Sequence, residues 1–234
     1  MIKQKLMIEG IPAVLWGGRK DKIFIAVHGN MSSKEDNIIV KFAEKAVEGG
    51  YQVLSFDLPE HGERKNEAVP CKVQNCVKDL NVIIKYAGER YGNISLFACS
   101  MGAYFSLMAY KNEKLTQALF LSPVVNMEKI IGNMMLWFGI SEEKLEKEKE
   151  IMTPIGQMLY WDYYCYVKSN PVNAWNILTS ILYGSKDDIC EYNVISEFAE
   201  FFDSDLMIME NGGHYFHTKE EIDFFSDWLN KSIK

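Results

Sequence analysis

Ser100 is the residue whose setting best suits a nucleophile. The run from residue 98 to 102 reads Ala-Cys-Ser-Met-Gly and lies where a buried strand pattern ends and a helical pattern begins. Small residues at both ends of this run allow strand and helix to approach closely enough for a sharp corner. The corner would present the hydroxyl at the carboxyl edge of a sheet, beside the free N–H groups of the helix. A small-x-Ser-x-Gly pattern also arises by chance, so a serine that only caps its helix is the alternative.

A serine hydroxyl becomes a strong nucleophile only when a base takes its proton, and the chain has four histidines. His214 follows Asn-Gly-Gly directly after the last predicted strand, so it should lie at the same sheet edge as Ser100. His28 ends an earlier strand, His61 lies in the loop after another strand, and His217 is expected on the surface. We therefore predict that His214 is the base.

The acid that orients the base should follow an intervening strand, in the chain order Ser, Asp or Glu, His. Asp187 and Asp188 both lie just after the strand that ends at Tyr183. Adjacent loop residues point in different directions, so one of the two should face His214. These residues alone leave the choice between the two aspartates open.

Two backbone N–H groups are expected to bind the oxyanion of a tetrahedral intermediate. Met101, the residue after the serine, should supply one of them. The loop after strand 23–27 reads His-Gly-Asn-Met and should supply the other, from Asn30 first and from Met31 second. An ordinary strand-ending turn is the alternative interpretation of this loop.

Alternating strand and helix patterns predict how these residues are positioned. Such alternation is typical of a doubly wound, mostly parallel sheet with helices on both faces. The predicted strands cover residues 5–9, 11–16, 23–27, 53–56, 94–98 and 118–121, with two more ending at residues 183 and 209. The predicted helices cover residues 37–48, 73–91, 101–110, 194–202 and 220–229.

Residues 124–171 interrupt the alternation, because a simple crossover between two strands needs far fewer residues. We predict that they form a helical cap on a core domain made of residues 1–123 and 172–234. The cap is rich in methionine and aromatic residues, which favours an apolar acyl group, although packing of the cap onto the core explains them equally well. The predicted substrate-binding residues are Trp137 and Trp161 from the cap and Met31 from the core.

Composition limits the classes of partner. A chain of 234 residues with 48% hydrophobic residues can form one large domain, and a net charge of −7 argues against nucleic acid or an anionic membrane as the main partner. No apolar run is long enough for a signal peptide or for a membrane span of ~18 residues. Five cysteines without metal-site spacing favour reduced thiols in a cytoplasmic protein. Cys71 and Cys76 could pair, but one helix face explains their offset.

Together these motifs resemble those of the α/β-hydrolase superfamily over essentially the whole chain. The resemblance implies a doubly wound, mostly parallel α/β sheet of the eight-stranded type, with the cap inserted after the sixth strand. The sequence looks most like the monoglyceride-lipase or serine-aminopeptidase branch of small bacterial hydrolases. The matching motifs are His28-Gly29-Asn30, Asp57-Leu58-Pro59-Glu60-His61-Gly62, Ala98-Cys99-Ser100-Met101-Gly102, Gly184-Ser185-Lys186-Asp187 and Gly213-His214.

The resemblance also assigns roles. The family's acid usually stands three residues after the glycine that closes its strand, which implies Asp187 rather than Asp188, and the histidine after the last strand is the base. The 57–62 segment is similar to the family's Asp-x-x-Gly-x-Gly loop, with Glu60 at the first glycine, and it implies a structural or pocket role for His61. Ala98 replaces the usual first glycine of the serine turn and keeps the small volume that the turn needs.

The expected reaction is hydrolysis of a small or medium acyl ester through an acyl-enzyme on Ser100, with no metal and no organic cofactor. The expected partner is a small-molecule acyl substrate, and the oligomeric state is not predicted. Thioesterase, amidase or peptidase, and acyltransferase reactions on the same residues remain open. An aminopeptidase would need acidic groups for the substrate amine, for which Asp162 is a weak candidate. A ligand-binding protein that kept the fold is less favoured.

Overall fold

An eight-stranded sheet forms the centre of the structure, a computed structural model that describes residues 1–234. Its strands are β1 (Lys3–Ile8), β2 (Ile11–Trp16), β3 (Lys22–Val27), β4 (Gln52–Phe56), β5 (Asn93–Cys99), β6 (Ala118–Leu121), β9 (Thr179–Gly184) and β10 (Asp205–Met209). The spatial order is β1-β2-β4-β3-β5-β6-β9-β10. The first two strands form an antiparallel hairpin, the second is antiparallel to β4, and all other neighbours in the sheet are parallel.

Helices cover both faces of this sheet, and successive strand residues point to opposite faces. In β3, for example, Ile23 and Ile25 contribute to the larger core, whereas Phe24 and Ala26 contribute to the smaller core. The larger core also contains residues of α2 (Val73–Gly88), α3 (Met101–Tyr110) and α7 (Tyr192–Phe201). The smaller core contains residues of α1 (Asn37–Glu48) and α8 (Lys219–Ser232). The predicted doubly wound, mostly parallel sheet is confirmed.

The register of the parallel strands brings their carboxyl ends to one edge. Val27 pairs with Ala98, Cys99 pairs with Leu121, and Met209 pairs with Gly184. The segments that follow β3, β5, β6, β9 and β10 therefore leave the sheet on the same side. This edge carries the residues on which the sequence predictions depend.

The segment between β6 and β9 is not wholly helical, in contrast to the prediction. It contains α4 (Met127–Trp137), α5 (Glu142–Glu148) and α6 (Trp161–Ser169), but also an antiparallel pair formed by β7 (Glu150–Met152) and β8 (Met158–Tyr160). Strands of three residues are too short to leave an alternating pattern in the sequence. Their turn is closed by Thr153, whose N–H donates to the Gln157 carbonyl at 2.9 Å, and Gly156 adopts a φ of 81° there.

The helices of the structure are either too short or too polar to cross a membrane.

Candidate active site

Ser100 occupies a sharp corner between β5 and α3. Its φ of 48° lies in the left-handed region that residues other than glycine seldom adopt, so the corner is strained. Two glycines make room for it. A Cβ on Gly29 would lie 3.1 Å from the Ser100 Cβ, and a Cβ on Gly102 would lie 2.8 Å from the Val27 carbonyl oxygen. The serine corner is therefore packed tightly against the end of β3.

The structure brings Ser100, His214 and Asp187 into one hydrogen-bonded chain. His214 Nε2 lies 2.8 Å from Ser100 Oγ, and His214 Nδ1 lies 2.7 Å from Asp187 Oδ2. A carboxylate only accepts hydrogen bonds, so Nδ1–H donates to Asp187, and Nε2 is left to accept the serine proton. Only 2% of the His214 side chain and none of the Asp187 side chain is exposed.

The two adjacent aspartates lie in different surroundings. Asp187 Oδ1 accepts hydrogen bonds from the N–H groups of Ile189 at 2.9 Å and Cys190 at 2.8 Å, so its carboxylate is held from both sides. Asp188 is exposed and makes no hydrogen bond with His214. The geometry thus favours Asp187 as the partner of the imidazole, in agreement with the resemblance.

The loop that carries His214 is held against the end of β9. A Cβ on Gly184 would collide with the carbonyl oxygens of Gly212 and Gly213, so the two chain segments can cross this closely only with glycine there. The Lys186 N–H donates to the Gly212 carbonyl at 2.8 Å. This contact ties the Asp187 loop to the His214 loop.

Glu221 fixes the other end of the His214 loop, and the sequence analysis did not identify it. Its carboxylate accepts hydrogen bonds from the N–H groups of Gly213 at 3.1 Å, His217 at 3.1 Å and Thr218 at 2.9 Å. Burial acts to raise the pKa of Glu221, but these N–H donors outweigh it and lower the pKa to about 2. Thr218 and Glu221 form a capping box at the start of α8. The Thr-x-x-Glu spacing is a sequence signal that could have revealed this anchor.

The loop after β3 places two predicted residues beside Ser100. Met31 has a φ of 57° and a highly exposed side chain. The Asn30 N–H makes no hydrogen bond within the protein, and the Met101 N–H is one of the first N–H groups of α3, which have no partner in the helix. Asn30 and Met101 therefore both keep a free donor near the serine.

Two buried histidines connect the loop after β3 to the 57–62 segment. His28 Nε2 accepts the N–H of Leu58 at 3.0 Å, and complete burial lowers the pKa of His28 to about 4, which keeps it neutral. His61 Nδ1 contacts the Pro59 carbonyl at 2.8 Å, and Nε2 contacts Asn30 Oδ1 at 3.1 Å. Each ring nitrogen of His61 thus lies within hydrogen-bond distance of an oxygen, an arrangement that favours the doubly protonated imidazolium.

Cys71 favours the charged form of His61. Burial acts to lower the pKa of His61, but the neighbouring Cys71 outweighs it and raises the pKa above its ordinary value. The Asn30 side chain is held on its other side by Gln157, to which Asn30 Nδ2 donates at 3.3 Å. Asn30 is thus tied both to the 57–62 loop and to the β7–β8 turn.

Two cavities meet at Ser100. One, of about 470 Å³, lies between the sheet and the 124–171 segment, and it is lined mostly by hydrophobic residues. The other, of about 720 Å³, has fewer hydrophobic residues in its lining and lies between the starts of α1 and α8. Ser100, Asn30 and Met31 line both cavities. Apolar residues that line the first include Met101, Phe105, Ile131, Met134, Trp137 and Leu159.

Of the three residues predicted to bind substrate, Met31 and Trp137 line the apolar cavity, but Trp161 does not. Trp161 is the first residue of α6, and its ring lies 6.0 Å from that of Tyr164 and 5.8 Å from Lys149 Nζ. Its neighbour Tyr160 lines the cavity instead. Trp161 therefore does not fit the predicted substrate-binding role in this structure, because its ring packs beside Tyr164 and outside the cavity.

The remaining candidates are not part of the hydrogen-bonded chain at Ser100. His217 is exposed, as expected, and lines the outer part of the larger cavity. Asp162 is also exposed and forms an ion pair with Lys72 at 2.6 Å, outside both cavities. Asp187, Cys190 and His214 could offer metal ligands within 4.8 Å of one another, but the first and last already bind each other.

Comparison with known proteins supports the fold. No protein-family model and no curated protein matches the chain, but many solved structures do. Est1E from Butyrivibrio proteoclasticus, with ferulic acid bound, is 18% identical over 97% of this chain and 96% of that chain, with a TM-score of 0.81. Mouse α/β hydrolase domain-containing protein 10 is 17% identical over 100% and 98% of the two chains, with a TM-score of 0.78.

A third match is the Pyrococcus furiosus esterase Pf2001, which is 18% identical over 98% of this chain and 87% of that chain, with a TM-score of 0.69. These likenesses extend over nearly the whole chain and confirm the predicted α/β-hydrolase fold. They do not single out the monoglyceride-lipase or serine-aminopeptidase branch, which stays a prediction.

Proposed function

We propose that this chain, which has the α/β-hydrolase fold, is a serine hydrolase that cleaves small or medium acyl esters. The observation that carries the proposal is the continuous hydrogen-bonded chain from Ser100 through His214 to Asp187, at the point where an apolar cavity reaches the serine. Two of the similar structures, Est1E with ferulic acid and the esterase Pf2001, are consistent with ester chemistry.

The geometry suggests the following reaction. His214, held by Asp187 with Nδ1 protonated, accepts the Ser100 proton at Nε2 while the serine oxygen attacks the acyl carbonyl. The N–H groups of Asn30 and Met101 donate to the oxyanion of the tetrahedral intermediate. His214 then gives its proton to the leaving alcohol. A water molecule next attacks the acyl-enzyme by the same steps, which releases the acid and restores the serine.

Residues 124–171 act in this proposal as a cap that supplies the acyl site. Residues of α4, such as Met134 and Trp137, line the apolar cavity that reaches Ser100. The Asn30 to Gln157 hydrogen bond connects the cap to the proposed oxyanion donor. An apolar acyl group is therefore expected in the cavity under the cap, and the alcohol is expected in the other cavity, which has fewer hydrophobic lining residues.

A peptidase with an amine-binding carboxylate in the cap is less well supported. Asp162, the candidate from the sequence, is already paired with Lys72 on the surface and does not line the cavity that reaches Ser100. Thioesters and amides remain to be compared with esters by experiment.

Labelling with a fluorophosphonate probe tests the proposal. The wild-type protein and Ser196→Ala should be labelled, because Ser196 lies on α7, lines neither cavity and serves as the matched control. Ser100→Ala and His214→Ala should not be labelled. Unlabelled wild type, or equal labelling of Ser100→Ala, would overturn the assignment. A panel of p-nitrophenyl esters of increasing length, beside thioesters and aminoacyl anilides, then ranks the substrates.

A further inference from the structure

Two thiols that the proposed hydrolysis does not use lie next to each other: the sulfur atoms of Cys71 and Cys76 are 3.7 Å apart. The sequence suggested that the two cysteines lie on one face of a helix, but this is not so. Cys76 lies on the buried face of α2, whereas Cys71 precedes the helix, which begins at Val73. The chain bends so that the Cys71 N–H donates to the Glu60 carboxylate at 2.6 Å. The two sulfurs therefore meet across the start of α2.

The two thiols differ in access. Cys71 is partly exposed and lines the apolar cavity that also reaches Ser100. Cys76 is completely buried in the larger core. A small molecule that enters the cavity can therefore contact Cys71 directly and can reach Cys76 only through it.

The two thiols also differ in reactivity, since the thiolate is the attacking form of cysteine. A hydrogen bond from the Cys76 thiol and the neighbouring His61 lower the pKa of Cys71 below its ordinary value. Burial and the Cys71 group raise the pKa of Cys76 well above its ordinary value. Cys71 is thus suited to attack first, and Cys76 to react second.

We propose that Cys71 and Cys76 form a reversible redox pair whose disulfide lowers the hydrolytic activity at Ser100. The oxidant is a small disulfide, RSSR. The Cys71 thiolate attacks one sulfur of RSSR, which forms a mixed disulfide and releases RS⁻. This RS⁻ takes the proton of Cys76, and the new Cys76 thiolate attacks the Cys71 sulfur and displaces the second RS⁻. Two protein thiols are oxidised and one external disulfide is reduced to two thiols.

A chain of contacts connects the two cysteines to Ser100. The effect of the disulfide on Ser100 rests on the proposed function. Cys71 is bound through Glu60 to the 57–62 loop, whose His61 Nε2 lies 3.1 Å from Asn30 Oδ1. A disulfide bond requires the sulfurs to approach from 3.7 Å to about 2.0 Å. It also removes the Cys71 thiolate that favours the His61 cation. Both changes act on Asn30, the proposed oxyanion donor.

The test uses the reduced full-length protein and oxidised glutathione at neutral pH. The wild type should lose the mass of two hydrogens and yield a peptide pair cross-linked between Cys71 and Cys76. Its rate on a p-nitrophenyl ester should fall about tenfold or more, because loss of one oxyanion donor costs at least that much, and dithiothreitol should restore it. Cys165→Ser, which changes a cysteine outside both cavities, should behave like the wild type.

Two variants separate the steps. Cys76→Ser should stop at the mixed disulfide and gain one glutathione on Cys71, whereas the activity of Cys71→Ser should be insensitive to the oxidant. Absence of the cross-linked peptide in the wild type would overturn the redox pair. A cross-link without loss of activity would overturn its effect on Ser100. A protein that forms the cross-link but hydrolyses no ester before oxidation would instead contradict the proposed function, and with it the effect on Ser100.

Discussion

Replacing Glu221 by glutamine is expected to destabilise the protein and to slow catalysis. The Glu221 side chain is almost completely buried and accepts three backbone N–H groups of the loop that carries His214. Glutamine has the same shape, but its amide nitrogen is a donor and would face the N–H groups of His217 or Gly213. The substitution therefore leaves buried donors unpaired in the loop that positions the base.

The pKa of Glu221 sets the size of this effect. A carboxyl group lowered to about 2 in the folded state stabilises that state at neutral pH by about 3 kcal/mol, since each pKa unit corresponds to ~1.4 kcal/mol. Because the folded pKa lies below the unfolded one, the contribution is complete above pH ~5 and is lost as the pH falls toward 2. Half of it should remain near pH ~3.

Urea unfolding of the wild type and of Glu221→Gln between neutral and acidic pH measures the free energy of unfolding. The difference should be about 3 kcal/mol at pH ~7, with Tm lower by roughly 6–12 °C, and it should shrink below pH ~4. Glu220→Gln, an exposed neighbour in the same helix turn, is the matched control and should change little. A difference below about 1 kcal/mol, or one that grows on acidification, would refute the reasoning. In addition, kcat should fall while KM changes little, because His214 is displaced and the acyl cavity is not.

Three further predictions follow from the same site. Asp187→Asn should lower kcat by roughly 10³–10⁴-fold because the imidazole loses its orienting acceptor, whereas equal losses in Asp188→Asn would contradict the choice of acid. Gly102→Ala should lower the free energy of unfolding by about 1–3 kcal/mol in urea, because its Cβ would collide with the Val27 and His28 carbonyl oxygens; an unchanged midpoint would argue against so tight a corner. Met134→Trp should narrow the apolar cavity and shift the ester preference toward shorter chains, and an unchanged chain-length profile would place the acyl group elsewhere.

The sequence predicts the sheet and its main helices well because their apolar patterns are long and regular. The bounds of α1, α3 and β6 agree with those expected, and α2 ends three residues early at Gly88. The β7–β8 pair left no such pattern, because each strand has three residues and depends on the turn between them. The period of the apolar residues therefore predicts the core strands and helices. It misses short strands that are stabilised mainly by pairing with each other.

In the candidate site, the sequence predicts which loops meet but not the direction of every side chain. The strand ends locate Ser100 and His214, since parallel strands bring their carboxyl ends together. The direction of a side chain at a helix start depends on packing, which is why Trp161 was placed in the cavity that Tyr160 lines. The sequence analysis missed Glu221 although the Thr-x-x-Glu spacing of the capping box is visible. The spacing predicts the start of α8, but it does not show that the same carboxylate also binds the loop of His214.

Trapping the acyl-enzyme tests the central claim most directly. The wild-type protein would be quenched in acid during turnover of p-nitrophenyl butyrate, digested, and its peptides identified by mass spectrometry. The account predicts one butyryl group per chain, attached to Ser100, and no such group in Ser100→Ala. A butyryl group on another residue, or full turnover by Ser100→Ala, would contradict it.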